Sequence, residues 1–264
     1  MDENYLKINK ESWNKRTEIH FNSSFYDNES FVQGRSSLNE IELQILGDLK
    51  GKKVLHLQCH FGQDTISLEQ LGAIVTGVDL SDVAISKANE LAKRMGSSAR
   101  FICSDLYSLP NILTEDFDIV FTSYGTIGWL PDIHKWAAVV SFFLRKGGKF
   151  VFAEFHPVVW MFNDEFTEVK FRYFNDTPIV EEEGTYTDGA NAFTSKNISW
   201  NHGLGEVFTS LISNGLCINE FKEFDYSPYD CFSGTKKISH GKYIIEKMDR
   251  KLPLVYSVLA TKLG

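Results

Sequence analysis

Apolar runs and helical stripes alternate along residues 54–155, and this alternation predicts parallel strands joined by helices. The apolar runs that predict strands fall at residues 54–57, 73–78, 99–103, 117–121 and 149–155. The stripes that predict helices fall at residues 36–49, 63–71, 82–95 and 132–144, with part of 4–20 also helical. Units of strand, helix and strand build parallel sheets, whose ligands bind beyond the carboxyl ends of the strands.

The pattern changes after Phe166. Apolar and polar residues then alternate with a period of two, which predicts two or three antiparallel strands. These stretches lie at 168–174, 179–186 and 192–200, around a turn at 175–178. A helix at 203–214 follows, and two last strands are predicted at 216–224 and 254–260. The segment 166–200 is therefore an insertion ahead of the last helix.

Length and charge limit the function classes. A chain of 264 residues suits one α/β domain with an insertion, and it can bury about 70–75% of its unfolded surface. The 35 acidic and 27 basic side chains give a net charge of -8, without a lysine and arginine run that follows a phosphate backbone. Nucleic acid is therefore a poor candidate partner.

The cysteines and the N-terminal segment indicate a cytoplasmic protein. The four cysteines are widely spaced and form no CxxC pair, so we expect reduced thiols and no metal site. The first fifteen residues are polar and charged, unlike a signal peptide. The most apolar stretch, residues 150–162, is interrupted by Glu154, His156 and Pro157, so no membrane span is predicted.

The stretch 54–79, VLHLQCHFGQDTISLEQLGAIVTGVD, resembles motif I of the class I S-adenosylmethionine-dependent methyltransferases, which is written hhDhGxGxG. His56 stands at the usual acid, Gln58 and His60 at the first two glycines, and Gly62 at the third. A positive φ costs a residue other than glycine about 1–2 kcal/mol. We therefore expect ordinary backbone angles at Gln58 and His60.

The resemblance covers about residues 50–156 and, weakly, the last 60. It implies an α/β fold with a Rossmann-like, doubly wound, seven-stranded, mostly parallel sheet, a reversed last strand and a small antiparallel β insertion. It also implies a single methyltransferase domain, 1–264. The parts of that domain are an N-terminal helical cap at 1–50, a cofactor-binding core at 51–156, the β insertion at 157–202 and the rest of the core at 203–264.

The implied cofactor is S-adenosylmethionine, with S-adenosylhomocysteine as the product. The resemblance implies that Asp79 accepts hydrogen bonds from the ribose hydroxyls of the cofactor, while Asp105 with Leu106 holds its adenine. Asp105 has an alternative interpretation as an ordinary loop cap. The loop 58–62 passes beneath the amino-acid end of the cofactor. The cofactor-binding residues implied in this way are Gln58, Cys59, His60, Gly62, Asp79, Leu80, Asp105, Leu106 and Tyr124.

A methyl group on a sulfonium is already activated, so holding the reactants in line can supply about 7–11 kcal/mol. No catalytic side chain is obligatory. An acceptor with a hydroxyl or an acidic carbon needs a base, and His156 and His20 are the candidates because histidine titrates near neutral pH. The alternative for His156 is a capping histidine fixed by the proline that follows it.

Aromatic residues suggest a small and partly apolar acceptor. Tyr26 and Trp129 are the candidate substrate-binding residues, and an aromatic face can also attract the sulfonium by about 0.5–2 kcal/mol. The segment around Trp13 and His20 is either a lid or an anchor for the N-terminal helix. The tyrosine-rich loop 226–232 is a further candidate wall of a pocket.

Two other function classes remain open. A cofactor-binding module without catalysis would fit the loss of the usual acid and of two glycines. An NAD-dependent dehydrogenase also has a strand-ending acid, but its backbone must approach a pyrophosphate through glycines that are absent here. Methyl transfer to a small molecule is the preferred function.

Overall fold

A computed structural model describes residues 4–174, 177–187 and 193–264 of the protein. The helices are α1 (Tyr5–Phe21), α2 (Asn28–Val32), α3 (Glu40–Leu46), α4 (Gln63–Gln70), α5 (Asp82–Met95), α6 (Ile133–Phe143) and α7 (Leu204–Ser213). The first strands are β1 (Lys53–Leu57), β2 (Ile74–Asp79), β3 (Arg100–Cys103), β4 (Phe117–Ser123) and β5 (Leu144–Phe155). The remaining strands are β6 (Ile179–Glu183), β7 (Ser195–Ser199), β8 (Leu216–Phe224), β9 (Thr235–Ser239), β10 (Lys242–Ile245) and β11 (Val255–Lys262).

Seven strands form the central sheet in the order β3-β2-β1-β4-β5-β11-β8. The pairs among β1 to β5 are parallel, and β11 runs antiparallel to both β5 and β8. The order reverses direction between β1 and β4, which is where open α/β sheets bind their ligands. The predicted fold class, a mostly parallel seven-stranded sheet with a reversed last strand, is confirmed.

Helices cover both faces of the sheet because the buried strands are apolar on both sides. Leu55 and Leu57 face a core that includes Trp136 of α6 and Leu211 of α7. Val54 faces the opposite core, which contains residues of α3 and α4. Each fully buried aliphatic or aromatic side chain contributes about 1.5–3 kcal/mol of transfer free energy, so these two layers hold the strand ends in place.

Helix α5 has the predicted bounds, whereas α3 is shorter than predicted. The Ser81 hydroxyl accepts from the Ala84 N–H at 2.9 Å, and Gly96 ends α5 with φ 65°. Helix α3 begins after the Asn39–Glu42 capping box and ends at Gly47 with φ 70°. The apolar stripe at 36–49 extends beyond both ends of α3, because Leu38 and Leu49 are buried in the same core without being helical.

The insertion contains one antiparallel pair, β6 with β7. The predicted strand 168–174 is wrong, since the only pairing described there is an isolated bridge between Phe162 and Val169. Residues 175–176 of the predicted turn, and residue 192 of the third stretch, lie outside the described residues. The hairpin of β9 and β10 was missed because its strands are short and largely exposed.

The N-terminal helix lies over the carboxyl edge of the sheet, between β7 and α5. The Asn9 side chain donates to the Ile198 carbonyl at 2.8 Å and accepts from the Ile198 N–H at 2.9 Å. On the other side of α1, Ser81 donates its hydroxyl proton to Asn14 at 2.7 Å. The helix is therefore fixed to both the insertion and the core. Within the described residues, no helix is long and apolar enough to cross a bilayer.

We predict that Gly77→Ala destabilises the protein by about 1–3 kcal/mol, because it overpacks the strand next to the candidate cofactor loop. An added Cβ would lie 2.9 Å from Cys59 Sγ and 2.9 Å from Phe101 Cδ1. Gly205→Ala in α7 is the matched control, since nothing lies within 4 Å of its added Cβ. Urea unfolding should show the control unchanged or more stable by about 0.5–1 kcal/mol. Equal stabilities for the two variants would contradict the packing argument.

Candidate active site

A cavity of about 780 Å³ lies at the carboxyl edge of the sheet, beneath α1 and the insertion. Many of the side chains that line it are aromatic. All nine residues predicted to bind the cofactor line it, namely Gln58, Cys59, His60, Gly62, Asp79, Leu80, Asp105, Leu106 and Tyr124. Tyr26 and Trp129, predicted to bind the substrate, line it as well. His20 and His156 are not among the lining residues.

The loop after β1 turns through positive φ at three positions. Gln58 has φ 56°, His60 has φ 50° and Gly62 has φ 80°. The expectation of ordinary backbone angles at Gln58 and His60 is therefore wrong. The loop keeps the turn of a glycine-rich sequence although Gln58 and His60, two of the three residues with positive φ, carry side chains. Strain of this kind persists only where surrounding contacts hold the backbone.

Contacts from two neighbouring strands hold this turn. The Asp79 carboxylate accepts from the His60 N–H at 2.8 Å, and the Cys59 N–H donates to the Val78 carbonyl at 2.9 Å. From the other side, the Gln58 side-chain amide donates to the Thr126 carbonyl at 2.8 Å. These hydrogen bonds offset a strain of about 1–2 kcal/mol for each residue.

Asp79 and Asp105 both line the cavity and also hold backbone. The second carboxylate oxygen of Asp79 accepts from the Ser81 N–H at 2.8 Å, and burial raises the Asp79 pKa to about 6. Asp105 accepts from the Ser108 N–H at 2.9 Å, so its alternative role as a loop cap is also observed. Each carboxylate oxygen has two lone pairs, which leaves acceptor capacity for a ligand.

Glu154 lines the cavity, and the sequence did not indicate its partners. Its buried carboxylate, at the end of β5, accepts from the backbone N–H groups of Gly125, Thr126 and Ile127 and from the Thr126 hydroxyl. These groups belong to the loop after β4, which passes along the cavity. The signal in the sequence is an acid among the apolar residues of β5, two residues before the candidate base His156.

His56 is a buried neutral histidine at the usual position of an acid. Its Nδ1 lies 2.8 Å from the Thr65 hydroxyl oxygen, and burial lowers its pKa to about 3. His56 Nε2 and Gln58 Oε1 are buried atoms of the cavity lining that have no hydrogen-bond partner in the described part of the chain. Buried polar atoms ordinarily have partners, so this lining fits a polar ligand.

His20 lies behind the cavity wall and connects three segments. Its Nδ1 is 3.0 Å from His60 Nε2, and its Nε2 contacts the Thr185 hydroxyl. Burial lowers the pKa of His20 to about 2 and that of His60 to about 3, so both rings are neutral. Both nitrogens of the His20 ring therefore have partners, which leaves neither free for the predicted role as a base. Its contacts instead join α1, the loop after β1 and the insertion.

The structure does not bring His156 to the cavity. Its Nδ1 accepts from the Val158 N–H at 3.2 Å, and its Nε2 lies 3.0 Å from Glu223 on β8. The ring packs edge-on against Tyr256, with 5.9 Å between ring centroids. These contacts match the alternative interpretation of a histidine that caps the turn beginning at Pro157. The sequence left both interpretations open because the direction of a side chain after the last strand residue is set by tertiary packing.

Aromatic side chains close the cavity from the side of α1. The Trp13 ring packs edge-on against Trp129 and His60, with 5.3 Å between centroids in each pair. The hydroxyls of Tyr26 and Tyr186 are 2.6 Å apart. Of the tyrosine-rich loop, Tyr229, Cys231 and Phe232 line the cavity as predicted. Among the described residues, no group of three histidine, cysteine or acidic side chains is arranged to hold a metal ion.

A seven-stranded sheet of this order, with a cavity at its switch point and acids after the second and third strands, defines a Rossmann-like methyltransferase architecture. Residues 54–148 match the family model described as a methyltransferase domain. Residues 54–148 are therefore similar to a methyltransferase domain, as the resemblance of the stretch 54–79 implied. The family resemblance seen in the sequence is thereby confirmed.

Known proteins are similar over different shares of the chain. A ubiquinone biosynthesis O-methyltransferase of Coxiella burnetii is 35% identical over 119 residues, 44% of this chain and 48% of that enzyme. The chain thus spans about half the length of that relative. An uncharacterized protein of Haemophilus influenzae is 28% identical over 257 residues, 81% of this chain and 97% of that protein. An S-adenosylmethionine-dependent methyltransferase structure from Clostridium acetobutylicum, 18% identical, shares the fold with a TM-score of 0.58, covering 93% of this chain and 95% of that one.

We predict that Glu154→Gln lowers the free energy of unfolding by about 1.5–3 kcal/mol, the contribution of hydrogen bonds to a charged group. The amide would place an NH₂ donor against backbone donors of the loop after β4. Glu11→Gln, an exposed residue on α1, serves as the control and should leave stability unchanged. Urea denaturation of both variants measures the difference. An unaltered midpoint for Glu154→Gln would show that the carboxylate does not hold this loop.

Proposed function

We propose that the protein transfers a methyl group from S-adenosylmethionine to a small-molecule acceptor and releases S-adenosylhomocysteine. One observation carries this proposal. The nine residues that the family resemblance assigns to the cofactor come from four separate strand ends, and all of them line a single cavity. When bound, the cofactor supplies a methyl group that its sulfonium has already activated.

The residues of the cavity have distinct roles in this proposal. Asp79 accepts from the ribose hydroxyls through lone pairs that the His60 and Ser81 N–H groups leave free. Asp105 and Leu106 hold the adenine, and Tyr5 of α1 covers the same end of the cavity. The loop after β1 approaches the amino-acid end. The unpartnered Gln58 Oε1 and His56 Nε2 are available there for polar groups of the ligand.

The chain contributes to catalysis mainly by holding the acceptor and the methyl carbon in line, which is worth about 7–11 kcal/mol at best. Glu154 fixes the loop after β4, and Trp13 with Trp129 excludes water from the cavity. We propose Tyr26 and Trp129 as contacts of the acceptor. His20 and His156 carry no step of this mechanism because both lie outside the cavity wall.

The acceptor is proposed to be small and partly apolar. Phe155, Trp160 and Phe232 form an aromatic wall away from Asp79 and Asp105, with ring centroids 5.2–5.8 Å apart. The Coxiella burnetii relative is named as an O-methyltransferase of ubiquinone biosynthesis, which favours an oxygen acceptor here. A net charge of -8 makes nucleic acid an unsuitable substrate. We propose a cytoplasmic location from the four free cysteines, and one methyltransferase domain over 1–264.

The alternative classes have weaker support. A dehydrogenase would need backbone space for a pyrophosphate, whereas side chains stand at positions 58 and 60. The hypothesis of a binding module without catalysis is supported by the same departures from motif I. It predicts cofactor binding without methyl transfer, so an activity assay separates it from the preferred function.

We predict micromolar binding of S-adenosylhomocysteine to the purified protein and its loss in Asp79→Ala, because that change removes the acceptor for the ribose and the anchor of the loop after β1. Isothermal titration calorimetry measures both. Asp116→Ala, an exposed acid before β4, is the matched control and should bind like the wild type. NADH is the ligand control. Tight binding of NADH instead of S-adenosylhomocysteine would favour a dehydrogenase.

We also predict that this binding depends on pH through Asp79. Burial raises the Asp79 pKa to about 6, so the accepting carboxylate is present above that pH and lost below it. The affinity for S-adenosylhomocysteine should be constant above about pH 7 and fall about tenfold for each pH unit below about 6. Asp79→Asn should bind more weakly with a flat profile. A falling profile in Asp79→Asn would assign the titration to another group.

A further inference from the structure

Glu42 is a fully buried carboxylate whose two oxygens have different partners. Oε1 accepts from the Asn39 backbone N–H at 2.6 Å, as in the capping box of α3, and also from the Asn39 side-chain amide at 3.1 Å. Oε2 accepts from the Tyr124 hydroxyl at 2.6 Å. The side chain is 0% exposed. Oε1 alone completes the cap, so Oε2 remains available for proton chemistry with Tyr124.

Tyr124 connects this carboxylate to the cavity. It follows β4, lines the cavity and has φ 39°, a left-handed angle that a bulky residue rarely adopts. Its backbone N–H donates to the Ala153 carbonyl at 2.7 Å, and its ring packs edge-on against Tyr229 at 5.2 Å. Strained residues held by their surroundings cluster at functional sites. The phenol ring therefore bridges Glu42, which does not line the cavity, and the ligand space.

The same helix cap positions a second cavity tyrosine. The Asn39 side-chain amide donates to the Tyr229 hydroxyl at 2.8 Å, while its partner in the cap, Glu42, holds Tyr124. Both tyrosines line the cavity, from two loops that are far apart in sequence. The capping box thus fixes two phenols with their oxygens at set positions beside the acceptor space.

The charged and titratable groups around Glu42 favour a basic carboxylate. Asp64 on α4 is half-buried and accepts from the Ser37 and Ser123 hydroxyls. Burial first, and the Asp64 charge second, raise the Glu42 pKa to about 7. Tyr124 and Tyr229 are the other titratable groups facing it, and the charge of Arg35 acts on Asp64. A general base works best with a pKa near the working pH.

We propose that Tyr124 and Glu42 form a proton relay that deprotonates a phenolic hydroxyl of the acceptor during methyl transfer. This inference rests on the proposed function and names its acceptor class. The acceptor proton passes to the Tyr124 oxygen while the Tyr124 proton passes to Glu42 Oε2. The acceptor oxygen forms a bond to the methyl carbon, the carbon–sulfur bond breaks, and its electron pair stays on sulfur. The sulfonium charge and the carboxylate charge disappear together.

A phenol fits the relay better than other acceptors. A phenol has a pKa near 10, within reach of a base that titrates near neutral pH, whereas an aliphatic alcohol is far less acidic. An unprotonated amine needs no base to attack a methyl group. The aromatic wall also suits a ring, since Phe155 packs at 5.8 Å from Tyr124 and at 5.2 Å from Phe232. Aromatic pairs gain about 0.5–1.5 kcal/mol beyond their buried area.

The test uses the full chain, tritium-labelled S-adenosylmethionine and three probes: catechol, cyclohexanol and benzylamine. We expect methyl transfer to catechol alone, with a rate that rises about tenfold for each pH unit up to about pH 7 and is then constant. Glu42→Gln and Tyr124→Phe should lower kcat by about 10²–10⁴-fold, the usual contribution of general base catalysis. The rising limb should be absent from both variants. Glu42→Gln should bind S-adenosylhomocysteine like the wild type.

Matched controls are Glu40→Gln, an exposed acid on the same helix, and Tyr226→Phe, which lies outside the cavity lining. Both should keep the wild-type rate and pH profile. Infrared spectroscopy provides a readout that needs no acceptor. A carbonyl band of a buried carboxylic acid should disappear as pH rises through about 7 in the wild type, and it should be missing from Glu42→Gln at every pH.

The outcomes separate the relay from the proposed function. If S-adenosylhomocysteine does not bind the wild type, the proposed function fails and the relay fails with it. If it binds but only benzylamine is methylated, or catechol is never methylated, the relay alone is overturned. Wild-type rates in Glu42→Gln and Tyr124→Phe would overturn it too. Should these variants fail to fold, the absence of the titrating carbonyl band from the wild type would still refute the relay.

Discussion

The backbone turn after β1 is the constraint on which the cavity depends. Three positive φ angles within five residues point the loop away from the sheet and open the space above it, although only Gly62 is a glycine. The Asp79 carboxylate holds the loop from β2, and the Thr126 carbonyl holds it from the end of β4. Thr126 is in turn fixed by Glu154 of β5. The loop after β1 is therefore held in place by contacts that come from three neighbouring strands, β2, β4 and β5.

The contacts between α1 and the insertion depend on this loop as well. His60 takes its angle from the turn, which places its ring against Trp13 and within 3.0 Å of His20. His20 in turn contacts Thr185 of the insertion. Neutral imidazoles suit this chain of contacts, because two protonated rings at that distance would repel each other. These contacts therefore join α1, the loop after β1 and the insertion at one side of the cavity.

Much of the fold followed from local patterns in the sequence. Strand ends and helix stops depend on nearby residues such as Ser81 and Gly96, and the cofactor residues follow strand ends that the apolar runs locate. Contacts between distant segments could not be predicted in this way. The partners of Glu154, the packing of His156 against Tyr256 and the angles of the loop after β1 all depend on residues far away in sequence. Sterics correctly indicated strain at Gln58, but tertiary hydrogen bonds compensate for it.

The departures from motif I change where negative charge lies without removing it. His56 is neutral because burial lowers its pKa to about 3, so the start of the motif carries no carboxylate. The buried Glu42 on α3 and the half-buried Asp64 on α4 lie on one face of the sheet, where α4 contacts His56 through Thr65. Oε1 of Glu42 completes the cap of α3, whereas Oε2 accepts from the hydroxyl of Tyr124, a residue with positive φ that lines the cavity. The arrangement is more economically explained by chemistry in which a proton must leave the acceptor.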